Sequence, residues 1–283
     1  MNTISIVKRE LIIDSLYQNH KISVDLTYNE EASKLQPIIF THNFKSFKDW
    51  GTFNLIAEQA ASQGFLFIKY NCSHDGTSPE KPTEFSDLEA FKNNNISIEL
   101  NDLKAVIDYL YNGQFGVDNL QLDSLCLVGH GRGGNVALIK ASEDARVSKV
   151  ASWNASSKIL DFSSSFMENW KNDGLIEFWN VRIKRHMPVG YQFVEDYNAN
   201  EDRFDTEKVM KRLDKPVLII HGEEDTRVKL ESAYYLKRLS EKAELVVIDK
   251  ADHNFCAYHP YLYDYLNSET RQVCTATLKF FTR

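Results

Sequence analysis

A chain of 283 residues has room for one large α/β domain or two small ones. Its 43% hydrophobic and 26% charged residues are ordinary for a globular protein that folds in water. The net charge of −7 leaves no basic surplus to neutralise phosphates, so nucleic acid is not an expected partner. No apolar run reaches the length of a membrane span, so no membrane partner is expected either.

The first residues, Met1 to Glu10, hold too short an apolar run for a signal peptide, and Lys8 and Arg9 follow at once. A cytoplasmic location with reduced thiols is expected. Cys72, Cys126, Cys256 and Cys274 lack metal-ligand spacing, and their even number leaves a disulfide open. Residues 4–14 and 21–28 alternate apolar and polar positions, the pattern of half-buried antiparallel strands. A turn over 30–34 leads to a strand at 38–41, which ends in His42-Asn43-Phe44. Phe53, Ile56, Ala57 and Ala60 predict a helix within 50–62, closed by Gly64. Residues 65–70 read as the next buried strand, and 71–95 as a long polar loop. Leu100, Leu103, Ile107 and Leu110 share a helix face that ends near Gly113.

Leu125 to Val128 is a short buried strand in which Cys126 is a small hydrophobe. Four glycines follow within six residues, Gly129, Gly131, Gly133 and Gly134, and then a helical rhythm from Asn135 to Ala141. This turn has neither the G-x-G-x-x-G spacing of a dinucleotide site nor the Lys-Ser/Thr pair of a phosphate loop. A strand is expected at 147–153. Residues 156–215 break the βα alternation with many aromatics, among them Phe166, Trp170, Phe178 and Trp179. A strand at 216–222, a helix at 230–239, a strand at 244–248 and a closing helix within 261–281 complete the chain. The fold class is α/β: a mostly parallel twisted sheet with helices on both faces and antiparallel strands at the N-terminus. The site of such a sheet lies at the carboxyl ends of its strands.

The strand–glycine turn–helix at 125–141 resembles the nucleophile elbow of α/β-hydrolases, which reads G-x-S-x-G. Here the frame is Gly129-His130-Gly131-Arg132-Gly133, and Gly131 stands where the family carries its serine. The family's acid sits in a turn like Gly222-Glu223-Glu224-Asp225-Thr226-Arg227-Val228, which matches Asp225. Its terminal histidine matches His253 in Ala251-Asp252-His253-Asn254. The order elbow, acid, histidine is the family's order. Each residue also has a plainer reading, Asp225 as a turn residue bonding its own backbone and His253 in an exposed turn. His221 and His259 are nearby alternatives without the motif. The resemblance implies an oxyanion hole from the backbone N–H groups of Phe44, or a neighbour, and Arg132. Asn43 departs from the family's usual glycine, and a side chain there narrows the hole or shifts its backbone. The segment 42–51, the loop 71–79 and the turn 129–134 look like the bacterial branch similar to dienelactone hydrolases and prolyl-peptidase-type serine hydrolases. The resemblance further implies one α/β-hydrolase domain over 1–283, with a small helical cap at about 156–215.

A glycine cannot attack a carbonyl, so no acyl-enzyme can form at 131. Three readings follow: an inactivated form of an active serine hydrolase, a non-catalytic relative, or a His253–Asp225 pair acting as general base on a water in the space a serine would fill. Cys72, Ser73, Ser152 and Ser156 lie near strand ends, but none sits on an elbow. The expected ligand is a small ester, amide or other carbonyl compound, turned over weakly or merely bound under the aromatic cap. No cofactor and no metal is expected, since the histidines and acids are not clustered at ligand spacing.

Overall fold

The computed structural model describes residues 5–17, 19–180 and 183–283. Strands β1 (Ile6–Asp14) and β2 (Lys21–Asn29) pair antiparallel, from Ile6 opposite Asn29 to Asp14 opposite Lys21. Ile4, assigned to the first strand from the sequence, lies outside the described residues. The sheet continues with β3 (Gln36–Thr41), β4 (Phe65–Asn71), β5 (Leu125–His130) and β6 (Val147–Trp153). Beyond the aromatic-rich excursion, which holds the hairpin β7 (Leu175–Asn180) and β8 (Arg185–Gly190), come β9 (Val217–Gly222) and β10 (Ala243–Ile248). The eight sheet strands run in the order β1-β2-β4-β3-β5-β6-β9-β10. β2 joins β4 antiparallel, and every later pairing in the sheet is parallel.

The parallel strands are apolar on both faces because both are covered. On one side Ile38, Phe40, Phe67, Val128 and Ile220 pack against α1 (Phe53–Ser62) and the closing helix 268–281. Their strand neighbours Ile39, Ile68, Leu127 and Ile219 point the other way, into a core shared with helices 96–111, 132–143 and 231–238. Each fully buried side chain of this size contributes about 1.5–3 kcal/mol relative to an exposed one.

In chain order the remaining helices are α2 (Leu88–Lys92), α3 (Ile96–Tyr111), α4 (Arg132–Glu143), α5 (Ser164–Asp173), α6 (Gln192–Ala199), α7 (Glu201–Phe204), α8 (Thr206–Arg212), α9 (Glu231–Arg238) and α10 (Ser268–Phe281). α2 interrupts the loop expected over 71–95, because the Asp87 carboxylate caps it by accepting from the Ala90 N–H. α4 begins three residues earlier than its apolar rhythm indicates, directly at the elbow. The excursion between β6 and β9 holds the helices α5 to α8, with the β7–β8 hairpin between α5 and α6. Among the described residues no helix is long and apolar enough to cross a membrane. All four cysteines are free, three of them buried.

A buried ion network holds the loop that leaves β3. Lys48 reaches Asp25 on β2 at 2.7 Å and Asp49 at 2.6 Å, and Lys69 on β4 contacts the same two carboxylates. The loop that carries Asn43 and Phe44 is therefore tied to two strands rather than free to drift.

Candidate active site

The turn from β5 into α4 holds two glycines under different constraints. Gly131 has φ +54° and ψ −122°, a backbone conformation that side chains with a Cβ rarely adopt. At Gly133 a Cβ would lie 2.3 Å from the carbonyl oxygen of Thr41 and 2.4 Å from that of His42, so helix and strand could not approach as they do. The Gly131 N–H donates to Trp153 O at 2.8 Å, which fixes the turn against β6.

The structure brings His253 and Asp225 together: His253 Nδ1 donates to Asp225 Oδ2 at 2.7 Å. The other carboxylate oxygen accepts the N–H groups of Arg227 and Val228, at 2.8 and 3.0 Å. Both side chains are buried, so neither is merely an exposed turn residue. Burial pushes the Asp225 carboxyl up, but the His253 contact and the two backbone donors outweigh it, and its pKa is lowered. His221 lies behind the acid, 3.6 Å from Asp225 Oδ2, and donates through Nε2 to Val228 O at 2.8 Å. His259 is engaged elsewhere, accepting the Gly51 N–H at 3.0 Å.

The carbonyl of His253 receives two donors, His130 Nε2 at 2.7 Å and Asn154 Nδ2 at 2.8 Å. His130 is fully enclosed; burial first, and the nearby His253 second, lower its pKa to about 3 from the ordinary 6.5. His130 therefore stays neutral in the fold while its unfolded counterpart takes up a proton, so stability falls as pH drops from 6.5 toward 3. Urea unfolding between about pH 7 and pH 4 is expected to lose up to ~1.4 kcal/mol per pH unit from this group, and His130→Asn is expected to flatten that slope.

The residue that decides the chemistry is Asn43. Its Oδ1 accepts the N–H of Phe44 at 2.7 Å and that of Arg132 at 3.1 Å, the two donors expected to form the oxyanion hole. Its Nδ2 donates to His253 Nε2 at 2.9 Å. The assignment of amide oxygen and nitrogen follows from the partners, because a reversed amide would face two N–H donors with its own NH2. A Cβ on Gly131 would lie 2.1 Å from Asn43 Oδ1 and 2.4 Å from its Cγ. The space a serine side chain would fill thus holds the asparagine carboxamide. The His253 Nε2 lone pair is engaged by the Asn43 N–H. The clue in the sequence was double: Asn43 and Gly131 both depart from the family pattern, and they depart together.

The substitute nucleophiles are not brought to His253. Cys72 is buried, and burial with the nearby Glu99 and Asp102 raises its thiol pKa well above the usual range. Ser73 Oγ pairs with His74 Nδ1 at 2.8 Å. Ser152 is fully buried, and Ser156 donates to Lys158 O at 2.6 Å. A cleft of about 640 Å³ opens above Asn43, Gly131 and His253. Phe44, Phe178 and Phe193 wall it together with Trp170 from the excursion. The Arg132 guanidinium lies 4.2 Å over the Phe44 ring and pairs with Glu99, which keeps the elbow and the wall together.

Solved structures share this architecture over nearly their whole length. Est1E from Butyrivibrio proteoclasticus, solved with ferulic acid bound, superimposes with a TM-score of 0.72 at 17% identity, covering 96% of this chain and 98% of that one. The chain has the α/β-hydrolase fold. A dienelactone hydrolase from Anabaena variabilis shares that fold with a TM-score of 0.63 at 16% identity, over 97% of both chains. A family model described as alpha/beta hydrolase fold matches residues 152–260, the stretch that contains Asp225 and His253. YcjY, an uncharacterized protein of Escherichia coli K12, is 27% identical over 145 residues. That match takes in 51% of this chain and 42% of YcjY, less than half the length of the curated relative.

Proposed function

We propose that this α/β-hydrolase-fold chain is a non-acylating relative of the carboxylesterase and dienelactone-hydrolase type, which binds a small carbonyl compound in its cleft. Asp225 and His253 keep the acid and base positions of that chemistry, Gly131 stands at the nucleophile position, and the excursion at about 156–215 acts as the cap. The observation that carries this reading is the Asn43 carboxamide, which takes up the serine space, both oxyanion donors and the histidine lone pair at once. It also weighs against an inactivated form of an active serine hydrolase. A serine at 131 requires the Asn43 carboxamide to turn away from its three partners, so the two residues as they stand fit each other.

The cleft suits a ligand with an apolar body, since Phe44, Trp170, Phe178 and Phe193 line it, together with polar and charged groups such as Lys45, Asn135, Lys158 and Arg227. The ferulic acid bound to Est1E likewise has an aromatic body. The deciding assay is p-nitrophenyl acetate hydrolysis by the unmodified chain beside its His253→Ala variant. Both are expected to release p-nitrophenol at the same background rate. Turnover by the unmodified chain that disappears in His253→Ala would overturn the reading.

A further inference from the structure

The floor of the cleft has a chemical pattern of its own. Two backbone N–H groups, from Phe44 and Arg132, converge on one point. Beside them His253 Nε2 offers a lone pair, because its Nδ1 proton is committed to the Asp225 carboxylate at 2.7 Å. Two donors next to one acceptor is the complement of a carboxamide: its carbonyl takes the two N–H groups and its own N–H goes to the imidazole. Asn43 satisfies all three at 2.7, 3.1 and 2.9 Å.

From this pattern we infer that the site recognises carboxamides, and that Asn43 is a built-in occupant which an external amide must displace. The inference deepens the binding function proposed above and rests on it. An ester matches the two donors with its carbonyl but turns a second oxygen toward the Nε2 lone pair. A carboxylate does the same with a full negative charge. Either leaves a repulsive contact where the amide has a hydrogen bond, and mismatches at such a half-buried polar site discriminate more strongly than added apolar contact does. Asn43, Gly131 and His253 all face the cleft, so an amide arriving from it reaches the same three groups. The aromatic walls suit an aryl body behind the amide, which points to aryl carboxamides as the ligand class. In the unmodified chain Asn43 competes intramolecularly, at the high effective concentration that attachment gives it. Its loop is anchored by Lys48 to Asp25 and Asp49, so removing the side chain should not release the backbone.

The test uses the full chain with Asn43→Gly and, separately, Asn43→Ala, each first shown to unfold cooperatively. Titration calorimetry at neutral pH then compares benzamide, methyl benzoate and sodium benzoate. Benzamide is expected to bind the variants at least about tenfold more tightly than either competitor, and at least about tenfold more tightly than it binds the unmodified chain. Equal affinity for the three compounds, or equal benzamide affinity with and without Asn43, would overturn the inference. A second readout needs no variant. Nitrogen-15 spectra of the unmodified chain are expected to show neutral His253 protonated on Nδ1 with Nε2 as acceptor; a proton on Nε2 would reject the pattern even if both variants failed to fold. These are binding and tautomer measurements, so their failure is separate from esterase turnover in the unmodified chain, which bears on the non-acylating reading alone.

Discussion

Gly131→Ser combined with Asn43→Gly is expected to gain p-nitrophenyl acetate hydrolysis that neither change gives alone. Serine at 131 by itself places a Cβ within 2.1 Å of Asn43 Oδ1, so the carboxamide must move or the elbow must deform. Turning the carboxamide aside gives up its three hydrogen bonds, at roughly 0.5–1.5 kcal/mol each, and the single variant is expected to be less stable and still inactive. Glycine at 43 by itself frees the Phe44 and Arg132 N–H groups but supplies nothing to attack a carbonyl. Together the changes leave a serine hydroxyl within reach of His253 Nε2, with Asp225 behind the ring and both oxyanion donors open. Members of a catalytic unit act non-additively, so the double variant should exceed either single one by on the order of 10³ in rate. That gain should vanish on adding His253→Ala. Equal activity in Gly131→Ser and the double variant would show that Asn43 is no obstacle. A folded but inactive double variant would show that the remaining groups do not form a working site.

The fold was legible because the parallel strands announce themselves. Ile38-Ile39-Phe40, Phe65-Leu66-Phe67-Ile68 and Val217-Leu218-Ile219-Ile220 are apolar at every position, as burial on both faces requires, whereas β1 alternates in burial, not in polarity, from Lys8 to Asp14. The hairpin β7–β8 was harder to read, since its inward residues Met187 and Val189 are separated by Pro188 and its charged partners carry no clean period. Asp225 and His253 were legible because a motif fixes them directly after strands. What Asn43 does was not. Its three partners are Phe44, Arg132 and His253, the last 210 positions away, and no local pattern encodes a contact of that range. The departure from glycine at 43 pointed to that position but not to its partners. Only the spatial coincidence with Gly131 shows that the Asn43 carboxamide occupies the space a Cβ at 131 would take.

Asn154→Ala is expected to be among the most destabilising single changes in the chain, although Asn154 touches no ligand in the cleft. The residue follows β6, is fully buried and has φ +51°. Its N–H donates to Ile220 O at 2.9 Å, its Oδ1 accepts the Gly222 N–H at 2.8 Å, and its Nδ2 donates to His253 O at 2.8 Å. One side chain thus joins the ends of β6 and β9 to the loop that carries His253. Alanine keeps the main-chain bond but leaves the buried Gly222 N–H without its side-chain acceptor, at about 1–3 kcal/mol, and removes one of the two donors to His253 O at a similar cost. A left-handed backbone adds roughly 1 kcal/mol for a residue that cannot compensate it with a local hydrogen bond. The sum is about 3–7 kcal/mol in urea unfolding, within the range that identifies a broken buried network. Asn154→Gly separates the two causes, since it tolerates φ +51° and still loses both side-chain bonds. It should recover only about 1 kcal/mol of the loss. If glycine instead restored wild-type stability, the side-chain bonds would contribute nothing and backbone strain would be the whole effect. With them intact, the His253 carbonyl is held from two sides, by Asn154 and His130, and the imidazole is fixed between Asp225 and Asn43 before any ligand arrives.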